Sequence, residues 1–182
     1  MAPFGEGIQI VVHAPDQEDL FSRICGYFDS ANLSVLDAQI HTTTRGYALD
    51  SFREMEQYQQ TAYRDRLLLV DDQLARRLAT RAPLAPPAQT RASRRSRAFP
   101  IKPSVDLRAD TNQQRYLLTV VANDRQGLLY RISLVLGRHG INIYSARILT
   151  LGERVEDTFV IGGDALNNPR HQLQVEAELR DA

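Results

Sequence analysis

Cysteine and tryptophan are nearly absent: the 182 residues include one cysteine, Cys25, and no tryptophan. A single cysteine cannot form an internal disulfide, which favours a reducing compartment. No stretch approaches the roughly 20 consecutive apolar residues that a membrane-spanning helix needs. The first residues lack the basic and apolar regions of a signal peptide. We therefore expect a cytoplasmic chain with no membrane contact.

An excess of charge is also absent, since Lys+Arg and Asp+Glu number 22 each. A balanced chain has no overall field that would attract nucleic acid or an anionic membrane. The basic run 91–97 is the one local candidate for a nucleic-acid arm. It has no interleaved aromatic residues for base stacking and lies in a Pro-rich segment. A solvated linker is the favoured interpretation, and no nucleic-acid partner is expected.

Catalytic motifs are missing as well. The four histidines show no metal-ligand spacing with one another or with Cys25. No Walker-type loop and no G-x-G-x-x-G loop is present. The acid pairs Glu54/Glu56 and Glu176/Glu178 lie in segments whose pattern favours solvent exposure over acid–base chemistry. We expect no catalytic residue, no metal site and no cofactor in this chain.

What the sequence does contain is an internal repeat. Residues 12–42 and 120–150, aligned at a constant shift of 108, are identical at 9 of 31 positions. Chance would give about two identities at ordinary residue frequencies. Because there are two copies only, a pair of modules is favoured over a solenoid.

Both copies show the same order of predicted elements, β-α-β-β-α. In the second copy, apolar residues at helical spacing follow a polar loop, His139-Gly140 ends the helix, and a tight turn at Gly152 joins two strands. This order is typical of an α+β fold with a split βαβ sheet and helices on one face. The predicted elements are 8–12, 20–31, 33–42, 47–52 and 61–78 in the first copy, and 116–121, 128–139, 141–149, 155–161 and 168–179 in the second.

The copies are separated by residues 81–104, which hold five prolines, six Arg or Lys and no acidic residue. This composition predicts a mobile linker. The expected organisation is a first module at 1–80, a linker at 81–98 and a second module at 99–182. Alternating apolar residues predict a further strand at 99–107, which could close either module.

A short polar loop precedes the first helix of each copy, at 15–19 and 123–127. Backbone N–H groups at a helix N-terminus favour a bound carboxylate. Asp16 and Asp124 fit both ligand contact and helix capping. The start of the next strand could complete a site if two modules face each other. The candidate ligand-binding residues are Asp16, Asp19, Asn32, Ser34, Asp124, Gly127, Leu128, Ile141 and Asn142.

Several strings carry a family resemblance. Asp-Arg-Gln-Gly-Leu-Leu at 124–129, an amphipathic helix, and then Gly-Ile-Asn-Ile and Ala-Arg-Ile resemble the ACT domain, a ferredoxin-like βαββαβ module that senses amino acids. Longer strings, such as 9–17 and 36–43, resemble the C-terminal tandem ACT region of bifunctional bacterial enzymes that modify the nitrogen-signalling protein PII. A fourth strand would then be exchanged or permuted in this chain.

The resemblance implies a regulatory region that binds L-glutamine and controls distant catalytic domains. Those nucleotidyltransferase and hydrolase domains, with their Mg²⁺, would be partners outside this chain, and PII an indirect partner. Asp19 stands where the resemblance places the glycine matched by Gly127, so the two sites need not bind equally. The competing hypothesis is a stand-alone ACT-repeat scaffold for dimerisation or partner docking without a ligand. Pairing of modules within one chain and pairing in a homodimer both stay open.

Overall fold

The computed structural model describes residues 2–4, 7–17, 19–41, 43, 46–55, 63–87, 100–110 and 115–182. The strands are β1 (Ala2–Phe4), β2 (Gly7–Pro15), β3 (Ser34–His41), β4 (Tyr47–Met55), β5 (Ser104–Asp110), β6 (Arg115–Asn123), β7 (Asn142–Leu151) and β8 (Arg154–Gly162). The helices are α1 (Leu20–Ser30), α2 (Tyr63–Ala79), α3 (Leu128–Arg138) and α4 (Pro169–Asp181), with a 3₁₀ turn at Asp164–Asn167. Within these ranges, no helix has both the length and the apolar character to cross a membrane.

All eight strands form one antiparallel sheet in the order β1-β2-β4-β3-β7-β8-β6-β5. The two modules meet at its centre, where β3 pairs with β7 from Asp37 opposite Leu149 to His41 opposite Ser145. The α+β class predicted from the sequence is confirmed, and the sheet runs continuously through both modules.

The 108-residue shift of the sequence repeat also governs the structure. Strand β2 maps onto β6, and helix α1 maps onto α3, each with identical bounds after the shift. Burial alternates along β2, where Ile10 and Val12 are buried while Val11 and His13 are exposed. One face of this strand therefore contributes to the core and the other does not.

Each module is completed by a strand that precedes it in the chain. Strand β5 pairs with β6, and the short β1 pairs with β2. Both modules therefore run ββαββα, which is the permuted form of the βαββαβ order. The strand predicted at 99–107 is observed at Ser104–Asp110 and pairs within the second module. The sequence patterns did not predict β1, which has three residues only.

The starts of α1 and α3 differ from the expected capping. The N-cap of α3 is Gly127, at φ +75°, and α1 has Asp19 in the same left-handed conformation at φ +61°. Helix capping, one of the two interpretations of Asp16 and Asp124, is therefore wrong for both. At α4 the predicted start is confirmed, because Asn168 accepts a hydrogen bond of 2.9 Å from a backbone N–H two residues on.

The core runs across both modules. Phe52 and Phe159, at equivalent places in β4 and β8, are fully buried, and Phe28 packs edge-on against Phe52 with ring centroids 5.0 Å apart. The beginning of the predicted linker contacts helix α1, because the side chain of Arg23 donates a hydrogen bond to the carbonyl of Ala82 at 2.5 Å. Residues 88–99, the larger part of that linker, lie outside the described residues.

Candidate functional site

Two clefts lie at the junction of the modules and are related by the repeat. The larger, site 1, has a volume of about 520 Å³ and combines the β2–α1 loop of the first module with the start of β7 of the second. Such a volume falls in the range of small-molecule pockets, about 300–1,000 Å³. It is lined by Asp16, Gln17, Asp19, Leu20, Phe21, Ser22, Ile40, Ala48, Asp50, Ser133, Gly137, Gly140, Ile141, Asn142, Ile143 and Tyr144.

In site 2 the modules exchange places: the loop between β6 and α3 comes from the second module, and Leu33 and Val35 come from the first. Its volume is about 70 Å³, room for about two waters at about 30 Å³ each. Two larger side chains explain the difference in size. Site 2 has Tyr130 and Asp29 where the equivalent positions of site 1 have Ser22 and Gly137.

A buried carboxyl group forms part of site 1. Asp50 on β4 is 1% exposed, and its Oδ1 accepts a hydrogen bond of 3.4 Å from the backbone N–H of His41. Burial is the main cause that raises the pKa of Asp50 to about 7, and the nearby charge of Asp16 raises it further, while the bond from His41 opposes both. Near neutral pH this carboxyl can therefore give up or take up a proton.

Asp157 on β8 is the counterpart in site 2. It is 2% exposed, and its Oδ1 accepts from the N–H of Leu149 at 3.4 Å. Burial, assisted by Asp124, raises the pKa of Asp157 to about 7, and the bond from Leu149 again opposes the rise. Neither residue was predicted from the sequence. An alignment of β4 with β8 would have shown the shared Asp-x-Phe of Asp50 and Asp157.

The charges that line site 1 have one sign. Asp16, Asp19 and Asp50 contribute carboxyl groups, and none of the described lining residues is Lys, Arg or His. Its neutral polar groups come from Gln17, Ser22, Ser133, Asn142 and Tyr144. Site 2 differs because Arg125 also lines it. Site 1 is therefore suited to a ligand with a cationic group and neutral hydrogen-bonding groups.

The structure divides the predicted ligand-binding residues between the two clefts. Asp16, Asp19, Ile141 and Asn142 line site 1. Asp124, Gly127 and Leu128 line site 2. Asn32, which is exposed at φ +56°, is not among the described residues that line the two clefts. The side chain of Ser34, at the start of β3, lies outside the described part of the structure. Gly127 and Asn142, which were expected to act together, thus lie at different clefts.

Gly127 has a neighbour that the sequence analysis did not anticipate. An ideal Cβ at Gly127 would lie 2.9 Å from Oδ1 of Asp29, which belongs to helix α1 of the other module. The Gln126 side chain also donates to the backbone carbonyl of Asp29 at 3.2 Å. The space above this glycine is therefore filled by a carboxylate of the chain itself.

The structure defines a tandem repeat of α+β modules with a cleft at each side of their junction, an architecture compatible with paired ACT modules. The chain is a relative of the C-terminal region of bifunctional uridylyltransferase/uridylyl-removing enzymes. It is 53% identical over 178 residues, 98% of its length, to the enzyme of Burkholderia thailandensis, and equally to those of Burkholderia mallei and Burkholderia pseudomallei. The chain spans 21% of the length of these relatives.

Two other comparisons add little. No family model matches the chain. An unknown protein from Galdieria sulphuraria aligns over 95% of this chain and 92% of its own, with 12% identity and a TM-score of 0.31, a value too low to support an argument. The sequence similarity to the enzymes therefore carries the assignment of this chain to their C-terminal region.

Proposed function

We propose that this chain is the amino-acid-sensing part of a cytoplasmic uridylyltransferase/uridylyl-removing enzyme and that site 1 binds L-glutamine. Bound glutamine would signal nitrogen status to catalytic domains elsewhere in the parent enzyme, and through them to PII. The observation that carries the proposal is the composition of site 1. It is a cleft of about 520 Å³ built from both modules and lined by acidic and neutral polar side chains.

Glutamine matches the chemistry of this cleft. Its α-ammonium group would lie against the carboxyl groups of Asp16 and Asp50. Its carboxylate would lie at the N-terminus of α1, where the helix dipole favours an anion. Its side-chain amide would find neutral donors and acceptors such as Asn142.

The same chemistry disfavours glutamate. A second carboxylate would enter a cleft that already holds three acidic side chains and no described basic one. Desolvation of that extra charge without a cationic partner is costly. We therefore expect a preference for glutamine, although the two amino acids have nearly the same shape.

The place of site 1 between modules gives binding a route to regulation. The loop with Asp16 belongs to the first module and the strand with Asn142 to the second. A ligand that contacts both favours one arrangement of the modules over others, which is the requirement for a change at a distant domain.

Calorimetric titration of the chain with L-glutamine, L-glutamate and L-asparagine tests the proposal. Glutamine should bind with a measurable heat, raise the midpoint of thermal unfolding, and bind at least tenfold more tightly than the other two. The variant Asn142→Ala should lose about 1–3 kcal/mol of glutamine binding. Equal binding of the three amino acids would overturn the specificity, and no binding at all would favour the scaffold hypothesis.

A further inference from the structure

Helices α1 and α3 pack against each other at the junction of the modules, and two aspartates of the first module face two glycines of the second at this contact. An ideal Cβ on Gly137 would lie 3.0 Å from Oδ1 of Asp19, and one on Gly127 would lie 2.9 Å from Oδ1 of Asp29. In the repeat, position 19 corresponds to 127 and position 29 to 137. At both contacts an aspartate of the first module therefore meets a glycine of the second.

Two first modules could not pair in this way. Contacts in a symmetric pair are reciprocal, so Asp19 of one copy would face Asp29 of the other, twice in each interface. Asp29 is buried, with only 7% of its surface exposed. Each contact would place a second carboxylate beside it, where the structure has a glycine without a side chain. Like charges at such short separation repel.

Two second modules meet a different obstacle. An ideal Cβ on Gly26 of α1 would lie 2.9 Å from Cε2 of Tyr130 on α3. The second module has Leu134 at the position of Gly26. A pair of second modules would therefore bring Leu134 against Tyr130, which is 2% exposed and lies 2.9 Å from even an added Cβ at this position, so the leucine side chain would overlap the ring.

We propose that the facing surfaces of α1 and α3 admit one kind of partner only, the unlike module. Charge rejects two first modules and steric overlap rejects two second modules, so the contact specifies the pairing as well as stabilising it. The pairing of unlike modules also gives Asp19 a role. The side chain of Asp19 needs Gly137 opposite it, as the side chain of Asp29 needs Gly127.

Cysteine trapping in the full chain, with Cys25→Ala in every variant, tests the pairing directly. Cγ of Asp29 would lie 3.2 Å from an ideal Cβ on Gly127. A cysteine at position 29 would have its sulfur near that Cγ, close enough to the Cβ of a cysteine at position 127 for a disulfide to form. Mild oxidation of Asp29→Cys/Gly127→Cys should therefore form a disulfide within minutes. The pair Asp19→Cys/Gly137→Cys should do the same, and it leaves Gly127, at φ +75°, unchanged.

The matched control is Gly127→Cys/Gly137→Cys, which leaves every aspartate and the Leu134–Tyr130 obstacle in place. Its two thiols lie at opposite ends of α3, about 15 Å apart at 1.5 Å per residue, so they cannot join within a module. They would join only between two second modules. We expect at least tenfold slower disulfide formation and no covalent dimer. Rapid dimer formation by this control, or failure of both unlike pairs to form a bond, overturns the proposal.

A charge comparison gives a second measurement. Asn and Asp have nearly the same shape and both tolerate left-handed backbone. Gly127→Asp should unfold with an equilibrium constant at least tenfold larger than that of Gly127→Asn, because the carboxylate introduced at position 127 would face Asp29. This difference in the equilibrium constant of unfolding should disappear when Asp29→Asn is added to both variants. A difference that persists, or one that is never observed, shows that charge does not select the partner.

Discussion

The carboxyl of Asp50 and the backbone N–H of His41 lie 3.4 Å apart across the β3–β4 hairpin. This bond holds an ionisable group in the interior wall of site 1. The second module repeats it between Asp157 and the N–H of Leu149, also at 3.4 Å. Because one of these carboxyls faces a large cleft and the other a small one, paired variants can separate ligand binding from folding.

Asp16→Asn should weaken glutamine binding about tenfold or more, because it removes a carboxylate from the place we propose for the ligand's ammonium group. Asp124→Asn makes the same change in the equivalent loop at site 2, where the cleft has about 70 Å³. That control should leave the affinity within about twofold. Titration calorimetry at pH 7 measures both. An equal loss in the two variants would argue against site 1 as the binding site.

Gly127→Ala should act on folding instead of on glutamine affinity. A Cβ at this position would lie 2.9 Å from Oδ1 of Asp29, and alanine is strained at φ +75°. We expect a loss of about 1–2 kcal/mol in the free energy of unfolding, measured by urea denaturation. Gly46→Ala is the matched control, since Gly46 has φ +73° but nothing within 4 Å of an added Cβ. A similar loss in both variants would show that Asp29 adds nothing to the backbone strain.

Glutamine binding should release a proton near neutral pH. Asp50 has a pKa of about 7 in the free chain, and an ammonium group beside it would favour the carboxylate and lower that pKa. The binding heat at pH 6.5 should therefore depend on the ionisation enthalpy of the buffer. Asp50→Asn should abolish the dependence and Asp157→Asn should preserve it. Proton release that survives in Asp50→Asn would assign it to another group.

Stability should fall as pH rises from about 4 to about 7. The folded-state pKa values of Asp50 and Asp157, about 7, exceed the roughly 3.9 of an unfolded aspartate. Over this interval the folded chain binds more protons than the unfolded chain, so deprotonation favours unfolding. The slope is at most about 1.4 kcal/mol per pH unit for each group. Denaturation of the double variant Asp50→Asn/Asp157→Asn should give a flatter profile, and an unchanged profile would rule out these two groups as its cause.

The features that sequence patterns predicted well are local ones. The helix end at His139-Gly140, the turn at Gly152 and the cap at Asn168 each depend on a few neighbouring residues, and all three are observed. The internal repeat also predicted a cleft shared by the loop of one module and the following strand of the other. Asp16 and Asn142 do line one cleft together.

Features that depend on packing between modules were not predictable in this way. The contact of Asp29 with Gly127 joins residues from different copies, and no local pattern indicates it. The same holds for Tyr130, which makes site 2 small. Asp50 was missed for another reason: a single polar residue in an apolar strand resembles ordinary alternation until β4 is aligned with β8.

The pairing of β3 with β7 also affects the folding of the chain during its synthesis. Asp37 pairs with Leu149, so the inner edge of the first module finds its partner only after most of the second module has left the ribosome. Until then β3 presents unpaired N–H and C=O groups, the feature that leads to edge-to-edge association of nascent or partly folded chains. The first module is thus exposed to aggregation during synthesis, and completion of the second module ends that exposure.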